Sequence, residues 1–185
     1  MPAPPSPEPA RPQQLDQATL EALYLRLEKP LFNAAFRWIW DAAEARDVVQ
    51  EAFVKLWGMA TRVDPATVEP LVWRLALNGA ANRRRRRRLW QWLTLETLGE
   101  HSVPSHRGAA DEQLSRHEGE VAIRAAVDGL PEKLKQVILM CEFSGMGYAQ
   151  ISQALGIPEG TVASRRNAAL RKLEQCLGPL QEESP

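Results

Sequence analysis

The sequence predicts an all-α protein: two small helical domains joined by a flexible linker, the second containing a helix-turn-helix. Apolar residues recur at spacings of three and four through most of the chain. A polar stretch rich in Gly, Ser, His and Pro separates two such blocks. Tyr148 to Lys172 then reads as a helix, a tight turn and a second helix. No strand pattern competes with these periodicities.

Composition narrows the function classes. A chain of 185 residues suits one ordinary domain or two small ones, and 44% hydrophobic with 25% charged residues is globular. The 23 basic and 23 acidic residues cancel, which argues against an indiscriminate polyelectrolyte binder, yet the basic charge is strongly clustered. Cys141 and Cys176 each fall within an apolar helical pattern, so buried thiols in a reducing cytoplasm are expected, not a disulfide frame. His101, His106 and His117 lack metal-ligand spacing and are expected to be solvated, with no metal and no cofactor. No phosphate-binding glycine loop or nucleophile–base set is present, so neither an enzyme nor a small-molecule substrate is expected. No apolar run approaches a membrane span, and the start lacks the order of a signal peptide; the expected compartment is the cytoplasm.

The elements follow in chain order. Residues 1–14 are rich in proline and alanine and are expected to form a disordered tail. Residues 15–89 make the first domain. Leu20, Leu23, Tyr24, Leu27 and Leu31 recur at helical spacing, with Asp16 or Thr19 as the N-cap. Pro30 predicts that one helix ends near Lys29 and another begins there, carrying Ala34, Ala35, Trp38 and Ile39. Asp41 to Trp57 follows, with Val48, Val49, Ala52, Phe53, Leu56 and Trp57 on an apolar face. Asp47, Gln50, Glu51 and Lys55 lie opposite, as a solvated face or a docking surface for a basic partner.

Gly58 to Pro70 reads as a loop containing Arg62, and a helix is expected from about Leu71 to Leu89. Leu71, Val72, Leu75, Ala76, Gly79 and Ala80 would face inward, and Arg74, Asn78 and Asn82 form a stripe outside. The helix ends in consecutive arginines, Arg83 to Arg88. On a helix such a run points all round, and its repulsion costs stability unless an anion neutralises it. A nucleic-acid backbone suits it, because each phosphate contact releases counterions. A frayed basic helix end or a membrane surface is the plainer alternative.

Residues 90–115 read as the linker, whose Trp90 and Trp92 are expected to pack back on the first domain or under a partner. Residues 116–178 make the second domain, followed by an acidic tail at 179–185. Val121, Ala122, Ala125 and Ala126 pattern its first helix, and Leu134, Val137, Ile138 and Cys141 its second. Ile151, Ala154 and Leu155 line one side of the next helix, Gly156 ends it, and Pro158, Glu159 and Gly160 open the last. Val162, Ala169, Leu170 and Leu173 can face the core, leaving Ser164, Arg165, Asn167 and Arg171 outward. That is the form of a helix-turn-helix whose second helix enters a DNA major groove, although an ordinary helical hairpin shares the spacing.

Three stretches together resemble a bacterial RNA polymerase sigma factor of the extracytoplasmic-function (ECF) group. Asp47-Val48-Val49-Gln50-Glu51-Ala52-Phe53, with Trp57, is similar to that family's core-binding helix. Trp73-Arg74-Leu75-Ala76-Leu77-Asn78, followed by Asn82 and the arginines, resembles its −10-reading helix. Leu130-Pro131, Gly145, Tyr148 and Leu155 to Arg165 resemble its −35-reading domain. The resemblance implies a factor that binds core RNA polymerase, at the clamp helices and the flap, and promoter DNA, and that is held by an anti-sigma factor. It assigns Asp47, Gln50, Glu51 and Lys55 to the polymerase, and Arg62, Arg74, Asn78, Asn82, Arg83, Arg84 and Arg86 to the −10 element. Tyr148, Glu159, Gly160, Thr161, Ser164, Arg165, Arg166, Asn167 and Arg171 fall to the −35 element. Ala163, Ala168 and Leu170 stand where relatives often carry basic groups, so this recognition helix holds less charge than theirs. A helix-turn-helix regulator acting without polymerase is the alternative, and it leaves the Asp47–Trp57 helix unexplained. An RNA-binding or structural adaptor built on the arginines leaves the helix-turn-helix idle.

Overall fold

The computed structural model describes residues 15–59, 63–64, 67–97 and 111–178, with the backbone alone at 91–97 and 111–118. These residues form seven helices and no strand: α1 (Gln17–Ile39), α2 (Ala42–Gly58), α3 (Val68–Thr97), α4 (Asp111–Gly129), α5 (Glu132–Phe143), α6 (Tyr148–Leu155) and α7 (Glu159–Leu177).

Asp16 caps α1, its carboxylate accepting from the Thr19 N–H at 2.7 Å. The expected break at Pro30 does not occur: α1 runs through it. One apolar stripe, Leu23, Leu27, Leu31, Ala34, Ala35 and Trp38, is buried on both sides of the proline. Continuous packing against α2 and α3 therefore outweighs the one backbone hydrogen bond that Pro30 forfeits. Asp41 caps α2 through the Glu44 N–H at 3.0 Å. Val48, Val49, Ala52, Phe53 and Leu56 are buried as expected, but Trp57 is half exposed, one step past the edge of that face.

α3 begins earlier and ends later than the expected 71–89. Val68 and Glu69 supply its start and Pro70 sits in its first turn, where a missing N–H costs nothing. Its buried side is Val68, Val72, Trp73, Ala76, Leu77 and Ala80, centred on a fully enclosed Trp73. Leu71, Leu75 and Gly79 flank that side and are half-buried. The helical backbone at 90–97 and 111–115 extends into the span read as linker. Trp90 is exposed, and the side chain of Trp92 lies outside the described residues, as do residues 1–14 and 179–185.

In the second unit, α4 buries Ala126 and Val127, with Leu130 just beyond, whereas Val121 and Ala125 face out. The inner stripe is thus shifted one residue from the expected one. α5 is buried on nearly all sides because α7 packs on one flank and α1 and α3 on another. A single buried cluster accordingly runs from Leu15 to Ala169 through both units.

Candidate nucleic-acid and partner interfaces

The turn between α6 and α7 has the geometry its residues predict. Gly156 takes the left-handed backbone at φ 64°, and the Ile157 N–H returns to the Ser152 carbonyl at 3.2 Å. The Ser152 hydroxyl donates to the Ile157 carbonyl at 2.6 Å, tying the helix to its turn. Ile151, Ala154, Val162 and Ala169 bury the inner faces of the pair. Glu159, Gly160, Ser164, Asn167 and Arg171 are exposed, and Thr161 and Arg165 are half-buried. Tyr148 is 39% exposed at the start of α6. Arg166 is directed elsewhere: it pairs with Glu142 of α5 at 3.1 Å. The Ser164 hydroxyl donates to its own helix at the Thr161 carbonyl, 3.1 Å away.

α3 carries the second basic surface. Arg74, Asn78 and Asn82 are exposed along one stripe, as the spacing requires. The arginine run that follows fans around the helix, and its first three members each meet carboxylates of this chain. Arg83 reaches back to α2, pairing with Glu51 and with Asp47 at 3.4 Å, and donating to the Glu44 carbonyl at 3.3 Å. Arg84 pairs with Asp128 at the end of α4 and donates to the Trp38 carbonyl at 3.2 Å. Arg85 pairs with Glu132 at the start of α5, 3.1 Å away. Arg86, Arg87 and Arg88 are exposed. Arg62 lies outside the described residues.

On α2, Asp47, Gln50, Glu51 and Lys55 share an exposed face beside the apolar Val54 and Trp57. The acidic and apolar character of that face suits a partner that is both basic and apolar.

Several residues that matter were not singled out in the sequence. Trp40, Asp128, Glu132, Lys135 and Gln136 join the two units: the Trp40 indole donates to Asp128 at 3.0 Å, and the Gln136 amide to Asn78 at 3.3 Å. Lys135 is only 2% exposed, with its ammonium 3.5 Å from Asp128 and 5.7 Å from the Trp38 ring centre. Burial, and then the neighbouring Arg84, push its pKa down to about 8 against the opposing pull of Asp128. One signal was available: a lysine inside the apolar stripe of α5, between Leu134 and Val137.

The cysteines differ from expectation. Cys176 is exposed and Cys141 only half-buried, because α7 extends past the body at its C-terminal end and α5 turns Cys141 toward Arg166. Burial still raises the Cys141 thiol pKa, which lowers its thiolate fraction. Among the described residues no cluster of His, Cys, Asp or Glu could hold a metal ion, and no helix is long and apolar enough to cross a membrane.

A recognition helix on a buried hairpin and an arginine-rich helix on a second unit define a two-module helical DNA-binding factor. Comparison with known proteins narrows that class. The Sigma-70 region 2 family matches residues 23–89 and the Sigma-70 region 4 family matches residues 120–173. The RNA polymerase sigma-H factor of Pseudomonas aeruginosa is 29% identical over 182 residues, covering 94% of each chain. The ECF RNA polymerase sigma factor SigL of Mycobacterium tuberculosis is 31% identical over 170 residues, covering 89% of this chain and 92% of that one. Among solved structures, CnrH in complex with the cytosolic domain of CnrY superposes with a TM-score of 0.64 at 22% identity, over 91% of this chain and 92% of that one. The sigma factor RpoE of Bartonella quintana, in complex with the anti-sigma factor NepR, gives 0.60 at 20% identity, over 85% and 96%. This chain belongs to the ECF sigma factors of bacterial RNA polymerase. It directs promoter-specific transcription initiation together with core polymerase.

Proposed function

We propose that the sigma activity is divided among three faces of the chain. The exposed face of α2, Asp47, Gln50, Glu51 and Lys55, docks on the basic and apolar clamp helices of the polymerase. α3, through Arg74, Asn78, Asn82, Arg83, Arg84 and Arg86, holds the opened −10 strand, with Arg62 in the preceding loop as a further contact. The start of α7 enters the major groove of the −35 element, with Tyr148, Glu159, Gly160, Thr161, Ser164, Arg165, Asn167 and Arg171 near the backbone or the bases. Arg166 joins them only by leaving Glu142. Residues 15–89 and 116–178 act as the two functional units, and residues 90–115 pass between them through the polymerase.

The observation that carries this division is the Asp47–Glu51 face. A DNA-binding regulator working alone has no use for an exposed acidic and apolar helix face placed apart from its recognition helix. The factor acts without covalent chemistry of its own, in the cytoplasm, and an anti-sigma protein holds it inactive, as NepR and CnrY are found complexed with related folds.

Run-off transcription with purified core polymerase on a library of promoter fragments tests the assignment. Asp47→Arg with Glu51→Arg should abolish core binding and specific transcripts while circular dichroism stays that of the wild type. Both carboxylates are exposed, and their pairs with Arg83 contribute at most about 1 kcal/mol. Gln50→Arg disturbs no ion pair and should weaken core binding in the same direction. Unchanged affinity in both variants would discard this face.

A further inference from the structure

We propose that Asp128, with Glu132, latches the second unit over α3 and keeps the nucleic-acid face of α3 shut in the free chain. The proposal rests on the assignment of α3 to the −10 strand. Its physical basis is a convergence: one carboxylate oxygen of Asp128 takes donors from three other helices. Trp40 at the end of α1 donates at 3.0 Å, Arg84 of α3 pairs with it, and Lys135 of α5 lies at 3.5 Å.

Two members of the cluster sit at a local cost. Asp128 occupies the last turn of α4, where the helix dipole disfavours a carboxylate. Trp40, the left-handed C-cap of α1 at φ 59°, presents its indole N–H to Asp128. Its ring is further fixed by Arg124 of α4, 5.6 Å from the ring centre. Lys135 keeps a cationic group almost wholly out of water, against Trp38 and beside Arg84 of the first unit. When the units part, that ammonium regains its hydration.

The closed seam also occupies what the proposed −10 face needs. Glu132 neutralises Arg85 and Gln136 bonds to Asn78, so α5 lies along the Asn78–Asn82–Arg85 stripe. Carboxylates of the second unit thus stand where strand phosphates would stand. Single-stranded DNA and the second unit compete for Arg84 and Arg85, and opening releases those arginines while adding Lys135 to the exposed positive charge.

The test uses the full chain, small-angle scattering and a labelled random-sequence single-stranded deoxyoligonucleotide. Asp128→Lys places repulsion at the seam; it should enlarge the radius of gyration and tighten oligonucleotide binding about tenfold, by restoring the competent population. Asp128→Asn, nearly isosteric, should shift both quantities the same way by less, and it decides the matter if the lysine variant loses helix content. An unchanged radius of gyration in folded variants overturns the latch. Adding Arg84→Ala and Arg85→Ala to the open variant separates the two ideas. If they abolish binding that opening had failed to increase, occlusion is overturned. If opening occurs but they leave binding untouched, α3 is not the nucleic-acid face, and the latch stands.

Discussion

The two basic helices of this chain treat their arginines in opposite ways. On α3, Arg83, Arg84 and Arg85 each meet a carboxylate from elsewhere in the chain: Glu51 and Asp47, Asp128, and Glu132. On α7, Arg165 and Arg171 have no ion-pair partner among the described residues, and only Arg166 is drawn inward, to Glu142. The crowded helix is the one whose charges repel most, so it gains most from intramolecular anions. The sparsely charged helix can leave its cations in water at little cost. The denser basic surface is therefore the less available of the two before polymerase arrives, which local charge density alone would have ranked the other way.

The largest effect should come from removing the platform of α3. Trp73 is fully enclosed, so Trp73→Ala should cost about 3–5 kcal/mol of stability, read as a lowered thermal midpoint. Its indole N–H finds no partner in the described structure, so little of that loss comes from a hydrogen bond, and Trp73→Phe should retain most of the stability. If Trp73→Ala unfolds like the wild type, α3 is not anchored as described and the contrast with α7 loses its basis.

A smaller effect sharpens the comparison directly. Arg165→Ala with Arg171→Ala should lower the salt slope of −35 duplex binding by about 2, one for each lost phosphate contact. Arg85→Ala, which leaves the Asp128 cluster intact, should barely change the salt slope of single-strand binding in the same free chain, because that group is already paired with Glu132. Equal losses in the two experiments would erase the distinction between the helices.

The smallest effect concerns Lys135. Its folded pKa of about 8 lies below the ordinary lysine value of 10.5, so below about pH 8 the fold carries a buried charge. Between those values the unfolded chain holds a proton that the native state has shed, so this group's contribution to stability rises with pH. Lys135→Met should stabilise by about 1 kcal/mol at pH 7, and the advantage should shrink by about pH 9.5. Arg84, Arg88 and Asp128 are the charged groups facing it. An advantage that stays constant with pH would show that Lys135 remains charged throughout.

Much of the fold is legible in residues that act locally. Asp16 announces the cap of α1, Gly156 its left-handed turn, and the Ile151–Val162 pattern the hairpin it closes. The errors also have local causes. Pro30 is a helix breaker by itself, but it sits within a stripe that tertiary contacts bury on both sides. Val121 and Ala125 obey a helical period one residue out of phase with the buried side of α4, because alanine-rich helices offer two faces of similar hydrophobicity. Of the proposed site, the exposed stripe of α3 and the outer positions of α7 could be read from spacing. The engagement of Arg83 to Arg85 could not, because its partners lie far along the chain.

The sequence by itself determined the all-α character, the helix-turn-helix, the Asp47–Trp57 motif and membership of the ECF sigma factors. Those properties reside in short-range periodicity, capping and motif order. Only the tertiary structure decided that Trp40, Arg84, Asp128 and Lys135 meet at one seam, and hence which arginines are occupied. A carboxylate 44 residues from its guanidinium leaves no local pattern, and its effect exists only once the fold has brought the two together.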